Sequence, residues 1–227
     1  MSDPYNTGVN IGLLPLLNSN PVAFFLLVAA LIEAIALHED AHALAADMQG
    51  DRLPRAEGRV TLNPISHLDP IGTICLVLVG FGWGKPVEFR PTALSSRRFG
   101  AAIVALAGPG MNLLLAVGGA LLVRALVPGG CAGLGARVAF GSSPLAAQFL
   151  LAFISINLLL AVFNLIPLPP LDGSRLLTIF LPPRRQYIVF WLDRYGFLIL
   201  LGLVFFGQSL IFSLLTAVTG PILAWVC

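Results

Sequence analysis

Long apolar runs, broken by glycine and proline, set the pattern of this chain. Pro21 to Leu37 is apolar apart from Glu33. With Asn20 as N-cap and Pro21 at the first helical position, the run predicts a helix from about Asn20 to Met48, stopped by Gly50. Ahead of it, residues 1–20 are interrupted by Pro4, Gly8, Gly12 and Pro15, and their apolar part, Ile11–Leu17, suits a membrane interface. A second helix is predicted from about Ser95 to Val127, kinked where Gly108-Pro109-Gly110 frees backbone groups. Residues 128–143 read as a glycine-rich loop. A third helix covers about Pro144 to Ile166 and breaks at Pro167-Leu168-Pro169-Pro170-Leu171-Asp172-Gly173. A half-helix, Ser174–Leu181, and a final long helix, about Tyr187–Ala217, complete the chain.

The connection between the first two helices is more polar. Asp51–Arg59 reads as exposed, Arg59–Leu62 as a short strand, and Asn63–Pro70 as a polar loop. The apolar stretch that follows, Ile71–Phe81, is too short to cross a hydrocarbon layer of about 30 Å as a helix, so it is expected to be re-entrant. Gly80, Gly82 and Gly84 end it, and Lys85–Arg90 reads as a second strand pairing with residues 59–62. The expected fold is an all-α polytopic membrane protein with about four to six transmembrane helices. It carries a small β-hairpin and re-entrant element and a helix broken at Pro170-Leu171-Asp172-Gly173. A single domain over residues 1–227 is expected, with its core at 20–182 and a helical tail at 183–227.

Composition agrees. Of 227 residues, 57% are hydrophobic and 11% charged, against about 25% charged in soluble domains, and the mean hydropathy is +0.90. The chain reads as an integral membrane protein. A net charge of +2, without a basic stripe, points away from nucleic acid. Residues 1–20 lack the basic region of a cleavable signal peptide, so the first spanning helix is expected to direct insertion. An outside N-terminus with four spans leaves only Arg124 and Arg137 outside among the 13 Lys and Arg. That bias favours a multi-pass protein of the inner (cytoplasmic) membrane with residues 38–42 toward the cytoplasm. Cys75, Cys131 and Cys227 lie far apart and form no C-x-x-C pair, which argues against a structural thiolate site. Three histidines are too few for a multi-histidine di-iron membrane enzyme.

The chemistry concentrates in His38-Glu39-Asp40-Ala41-His42. Residues four apart on a helix lie about 40° apart around its axis, so His38 and His42 share a face and can grip one Zn²⁺, with Glu39 beside them to take a proton from water. Imidazole and carboxylate near the edge of an apolar helix are costly unless paired or coordinated, which favours a metal. A catalytic zinc takes three protein ligands, and Asp172, His67 and Asp69 are the candidates for the third. Asp172 follows a long apolar run, at membrane depth, where an unpaired anion is unfavourable. Asn164, one turn before Pro167, can donate a hydrogen bond or brace the broken backbone.

Three stretches together resemble the site-2 protease family of intramembrane zinc metalloproteases: His38–His42, Gly108-Pro109-Gly110-Met111-Asn112, and Asn164 to Gly173. The resemblance covers roughly residues 20–182. It implies one zinc per chain on His38, His42 and Asp172, with Glu39 as catalytic base and Asn112 and Asn164 holding substrate or oxyanion. Residues 63–70 are similar to the loop of the short bacterial members, which makes His67 a candidate accessory group, with a plain interfacial loop histidine as the alternative. An inserted PDZ-like domain is absent, and the tail beyond Leu181 carries no family motif. The implied substrates are single-span membrane proteins within the lipid bilayer. These must unwind to expose a peptide bond and can pair with the edge of the expected hairpin. Two other readings stand beside this one, a multi-span transporter or channel and a non-catalytic zinc-stabilised scaffold; neither needs Glu39 as a base.

Overall fold

The computed structural model describes residues 13–79, 82–96, 99–127, 145–180 and 186–226. The first twelve residues and the expected glycine-rich loop at 128–143 lie outside the described residues. The fold is mostly helical: α1 (Leu14–Ser19), α2 (Pro21–Met48), α3 (Leu53–Ala56), α4 (Pro70–Val79), α5 (Gly100–Leu126), α6 (Leu145–Asn164), α7 (Gly173–Phe180), α8 (Gln186–Phe206) and α9 (Gln208–Val226). Among the described residues, α2, α5 and α6 are long and apolar enough to cross a membrane. The single last helix expected over 187–217 is instead two, separated at Gly207.

The first helix forms as its sequence dictates. The Ala23 amide donates to the Asn20 side chain at 3.0 Å, Pro21 opens the helix, and Gly50 takes a left-handed φ of +103° just past its end. Ala30, Ala34, His38, His42 and Ala46 are all buried, so every fourth residue of α2 faces its neighbours. Small side chains on this stripe let the helices approach closely. Ala30 and Ala34 pack with Ile156 of α6, while Ala46 packs with Val104 of α5 and with Leu94. Farther along, Ala120 and Val123 of α5 close against Ala147 and Ile154 of α6. The two histidines therefore sit on the face of α2 where the three long helices meet.

At ten residues, α4 is about 15 Å long, half a hydrocarbon layer. The chain comes back beside it, with Gly82 close against Gly72 and Leu76. The expected pairing of residues 59–62 with 85–90 is absent, and among the described residues there is only an isolated bridge between Leu68 and Gly84. The reason lies with Arg59. Its guanidinium donates to the carbonyls of Ser66 and Lys85, while the Lys85 amide donates to the His67 carbonyl at 2.7 Å. A side chain thus occupies the position a ladder would need, and residues 84–85 register against 67–68. Helix α5 begins at Gly100 rather than near Ser95, whose amide donates to the Gln49 carbonyl at 2.9 Å.

Two buried acids secure the polar connection after α2. Asp47 accepts from Arg52 at 3.0 Å and from Arg55 at 2.7 Å. Asp51, fully buried, accepts from the Leu53 amide at 3.1 Å, from the Arg90 amide, and from Arg90 Nη2 at 2.7 Å. Burial favours the neutral acid at Asp51, but the Arg90 and Leu53 bonds outweigh it and hold the carboxyl below its ordinary range. A depressed native pKa means this contribution is complete above the unfolded-state value of about 3.9 and is lost as pH falls through the native one. Asp51→Asn is expected to lower stability at pH 7 by about 1–3 kcal/mol, and its difference from wild type should shrink below about pH 4. Thermal unfolding of the detergent-solubilised proteins across pH measures both.

Candidate metal centre

Helix α2 holds the His38 and His42 rings edge to face, with centroids 4.6 Å apart and Nε2 atoms 3.0 Å apart. Asp172 reaches them from the break between α6 and α7. Its Oδ2 lies 3.1 Å from His38 Nε2 and 3.4 Å from His42 Nε2. One ligand atom from each of the three residues falls within 4.8 Å of the others. The opposite ring nitrogens are both engaged: His42 Nδ1 donates to the Val104 carbonyl at 2.7 Å, and His38 Nδ1 donates to Asn112 Oδ1 at 2.5 Å. A carbonyl only accepts, so in neutral His42 the proton is on Nδ1 and the Nε2 lone pair faces Asp172. Asp172 Oδ2 is buried without a hydrogen-bond partner. Electron-pair donors therefore converge inside the helix bundle, an arrangement that repels itself unless a cation lies among them. Two imidazoles and a carboxylate form a donor set suited to catalytic zinc, and the orienting bonds behind the rings are those metal-ligating histidines use.

Local sequence explains the convergence. At Gly108 even a methyl group would press on both imidazoles, so only glycine lets α5 pass over the two rings. Pro109 leaves the Ala105 carbonyl without its helical donor, one residue beyond the carbonyl that His42 uses. After α6, the prolines prevent a straight continuation, and Gly173 lies close against the backbone of Leu165 and Ile166. The folded-back turn carries Asp172 under α2.

The other candidates are placed as follows. Glu39 borders the same cavity, about 430 Å³ in volume, with Asn164, Arg175 and the three converging residues in its wall. Behind Glu39 stand the buried Arg59, its Nη2 3.9 Å from Glu39 Oε2, and Gly84. Asn164 donates to the Leu160 carbonyl at 3.1 Å. Asn112 is fully buried behind His38, and its amide donates to the Ala34 carbonyl at 3.1 Å and to Asn157 Oδ1 at 2.8 Å. With both amide hydrogens committed, it has none for a substrate, and the oxyanion part expected of it does not fit this placement. His67 lies outside the convergent group. It is fully buried in its loop, and its Nε2 meets the Thr61 carbonyl at 2.7 Å. Asp69 caps α4 by accepting from the Gly72 amide at 2.7 Å.

Several contributors escape a reading of the sequence. Arg59 and Gly84 flank Glu39 through loop contacts that no spacing announces. The tail beyond residue 182 is more than an appendage, because Phe197 and Leu200 of α8 line the cavity and Phe197 meets Trp83 edge to face, with centroids 5.8 Å apart. Asn157 offered one signal, an amide in the middle of an apolar span.

Comparison with known proteins supports the same chemistry. The family model described as Peptidase family M50 matches residues 130–203, the part of the chain that contains Asp172. The protein named "Putative zinc metalloprotease YwhC" of Bacillus subtilis (strain 168) is 39% identical over 183 residues, covering 78% of each chain. The chain belongs to peptidase family M50. Two further relatives share the name "Putative zinc metalloprotease Rip2". That of Mycolicibacterium smegmatis is 32% identical over 80% of this chain and 67% of its own. That of Mycobacterium tuberculosis (strain H37Rv) is 32% identical over 72% of this chain and 60% of its own. No solved structure matches. As an M50 peptidase with three membrane-length helices, the protein is an intramembrane zinc metalloprotease. Because the M50 peptidase has no room for a methyl group at residue 108, Gly108→Ala is expected to cut zinc content at least about tenfold. Helix content should be unchanged, since alanine favours helix over glycine by about 1 kcal/mol. Metal analysis and circular dichroism of the purified variant measure both.

Proposed function

We propose that this M50 peptidase holds one zinc ion on His38, His42 and Asp172, uses Glu39 as its general base, and cuts single-span membrane proteins near the cytoplasmic face of the inner membrane. One observation carries the reading: two imidazole nitrogens and an unpartnered buried carboxylate oxygen converge in a cavity that Glu39 also borders. Zinc bound there would supply Lewis-acid polarisation of the peptide carbonyl and acidify water. Glu39 accepts the proton of the attacking water and returns it to the departing amine, a role worth about 10²–10⁴ in rate. Asn112 orients His38 rather than touching substrate. Asn164, in the cavity wall with an amide hydrogen beyond the one given to Leu160, is the donor we assign to the developing oxyanion.

The segment at residues 86–89 supports a mode of substrate entry. Val87 and Phe89 line the cavity, and among the described residues the amides of Val87, Glu88 and Phe89 have no backbone partner. An unwound substrate can hydrogen-bond along this stretch, in place of the hairpin edge expected from sequence. The whole chain, 1–227, acts as one membrane-embedded domain in this reading, because α8 completes the cavity that α2 and Asp172 begin. The charge bias of the loops supports the cytoplasmic placement.

Glu39→Gln is expected to retain zinc and lose at least about 10² in cleavage rate, whereas Asp172→Ala should lose zinc and activity together. A Glu39→Gln protein that cleaves like wild type would return the scaffold reading. Metal analysis paired with cleavage of reconstituted single-span substrates decides between them. Val87→Pro removes one backbone donor at residues 86–89 and is expected to lower kcat/KM with zinc content unchanged; unaltered cleavage would rule out docking there.

A further inference from the structure

Asn157 lies fully buried in α6, between Ile154 and Leu158 and away from both helix ends. A primary amide in such surroundings is tolerated only when its hydrogen bonds are made. Its Nδ2 donates to the Phe153 carbonyl at 3.0 Å, and its Oδ1 accepts from Asn112 Nδ2 at 2.8 Å. The other Asn112 amide hydrogen goes to the Ala34 carbonyl at 3.1 Å, and the remaining Asn112 Oδ1 faces His38 Nδ1 at 2.5 Å. The order of these bonds has a direction. The Phe153 carbonyl can only accept, so Asn157 must turn its oxygen toward Asn112. Asn112 must then present its nitrogen to Asn157 and its oxygen to His38. An oxygen facing Nδ1 requires the ring proton there, which leaves the Nε2 lone pair pointing at Asp172 and His42.

We propose that Asn157 is a positioning residue: through Asn112 it fixes the His38 tautomer that exposes Nε2 as a metal ligand. It touches neither substrate nor metal and acts across three helices, α6 to α5 to α2. This inference rests on the assignment of His38, His42 and Asp172 as zinc ligands. Without Asn157, one Asn112 amide hydrogen is orphaned in a buried setting, and only the Ala34 carbonyl still opposes the reversed amide, nitrogen toward His38. A reversed amide draws the ring proton to Nε2, the atom needed for the metal.

The test uses the full chain in detergent, with Zn²⁺ affinity measured against a competing chelator. His38→Ala should lose zinc binding. Asn157→Leu and the smaller Asn157→Ala should weaken it about 10- to 100-fold, the usual range for a lost orienting partner. Asn157→Asp should recover most of the affinity, because a protonated carboxyl group donates to Phe153 and accepts from Asn112. Ile154→Ala, a packing change on the same helix, should lower the Tm without this loss. In zinc-free wild type, ¹⁵N NMR of the imidazoles should show His38 protonated at Nδ1, with the Nε2-protonated form gaining population in Asn157→Leu. Zinc affinity in both Asn157→Leu and Asn157→Ala no weaker than in Ile154→Ala, or an unchanged tautomer, overturns the proposal while leaving the ligand assignment standing. Undiminished zinc affinity in His38→Ala overturns the ligand assignment and the proposal with it.

Discussion

Mutual repulsion among buried electron-pair donors is the constraint on which this molecule depends. His38 and His42 Nε2 lie 3.0 Å apart, and Asp172 Oδ2 is within 3.4 Å of both. Nothing in an apolar interior compensates such a cluster except a cation or a proton. Holding it together requires α2, α5 and the break after α6 to be locked in register, and each contributes a specific device. The alanine stripe of α2 allows close packing, Gly108 makes room for the rings, and the folded-back turn before α7 supplies the carboxylate. The three-residue cluster and the helix packing are accordingly one structure.

Three polar groups inside the bundle are each oriented by a partner whose hydrogen-bonding character cannot change. Backbone carbonyls of Val104, Ala34 and Phe153 accept and never donate, and they fix His42, Asn112 and Asn157 in turn. In a low-dielectric interior these bonds are strong, and their loss is felt along the chain of contacts. The same logic organises the surroundings of Glu39. Arg59 ties the loop at Ser66 to the extended segment at Lys85 and stands behind the carboxylate. The segment leading away from Lys85 places Val87 and Phe89 in the cavity wall.

Much of this was legible in the sequence. The start of α2 at Pro21 and its end near Met48 follow from Asn20, Pro21 and Gly50, because capping is a local matter. The shared face of His38 and His42 follows from helical spacing alone, and the broken backbone at Asp172 follows from the prolines ahead of it. The two expected strands were less secure, since alternation over a few residues does not reveal that an arginine side chain will take the ladder's place. Nor does local pattern reveal that the Ser95 amide donates to the Gln49 carbonyl, 46 residues earlier, ahead of an α5 that begins at Gly100.

The sequence by itself determined the membrane class, the shared face of His38 and His42 and the chemical types of the residues that converge, because composition, periodicity and spacing act along the chain. Tertiary structure decided which groups meet. It drew Asp172 to the histidines over His67 and Asp69, placed Asn112 behind His38 from 74 residues away, and supplied His42 with a carbonyl 62 residues away. Such pairings depend on how three helices cross and on one glycine without a side chain, and no local pattern records them.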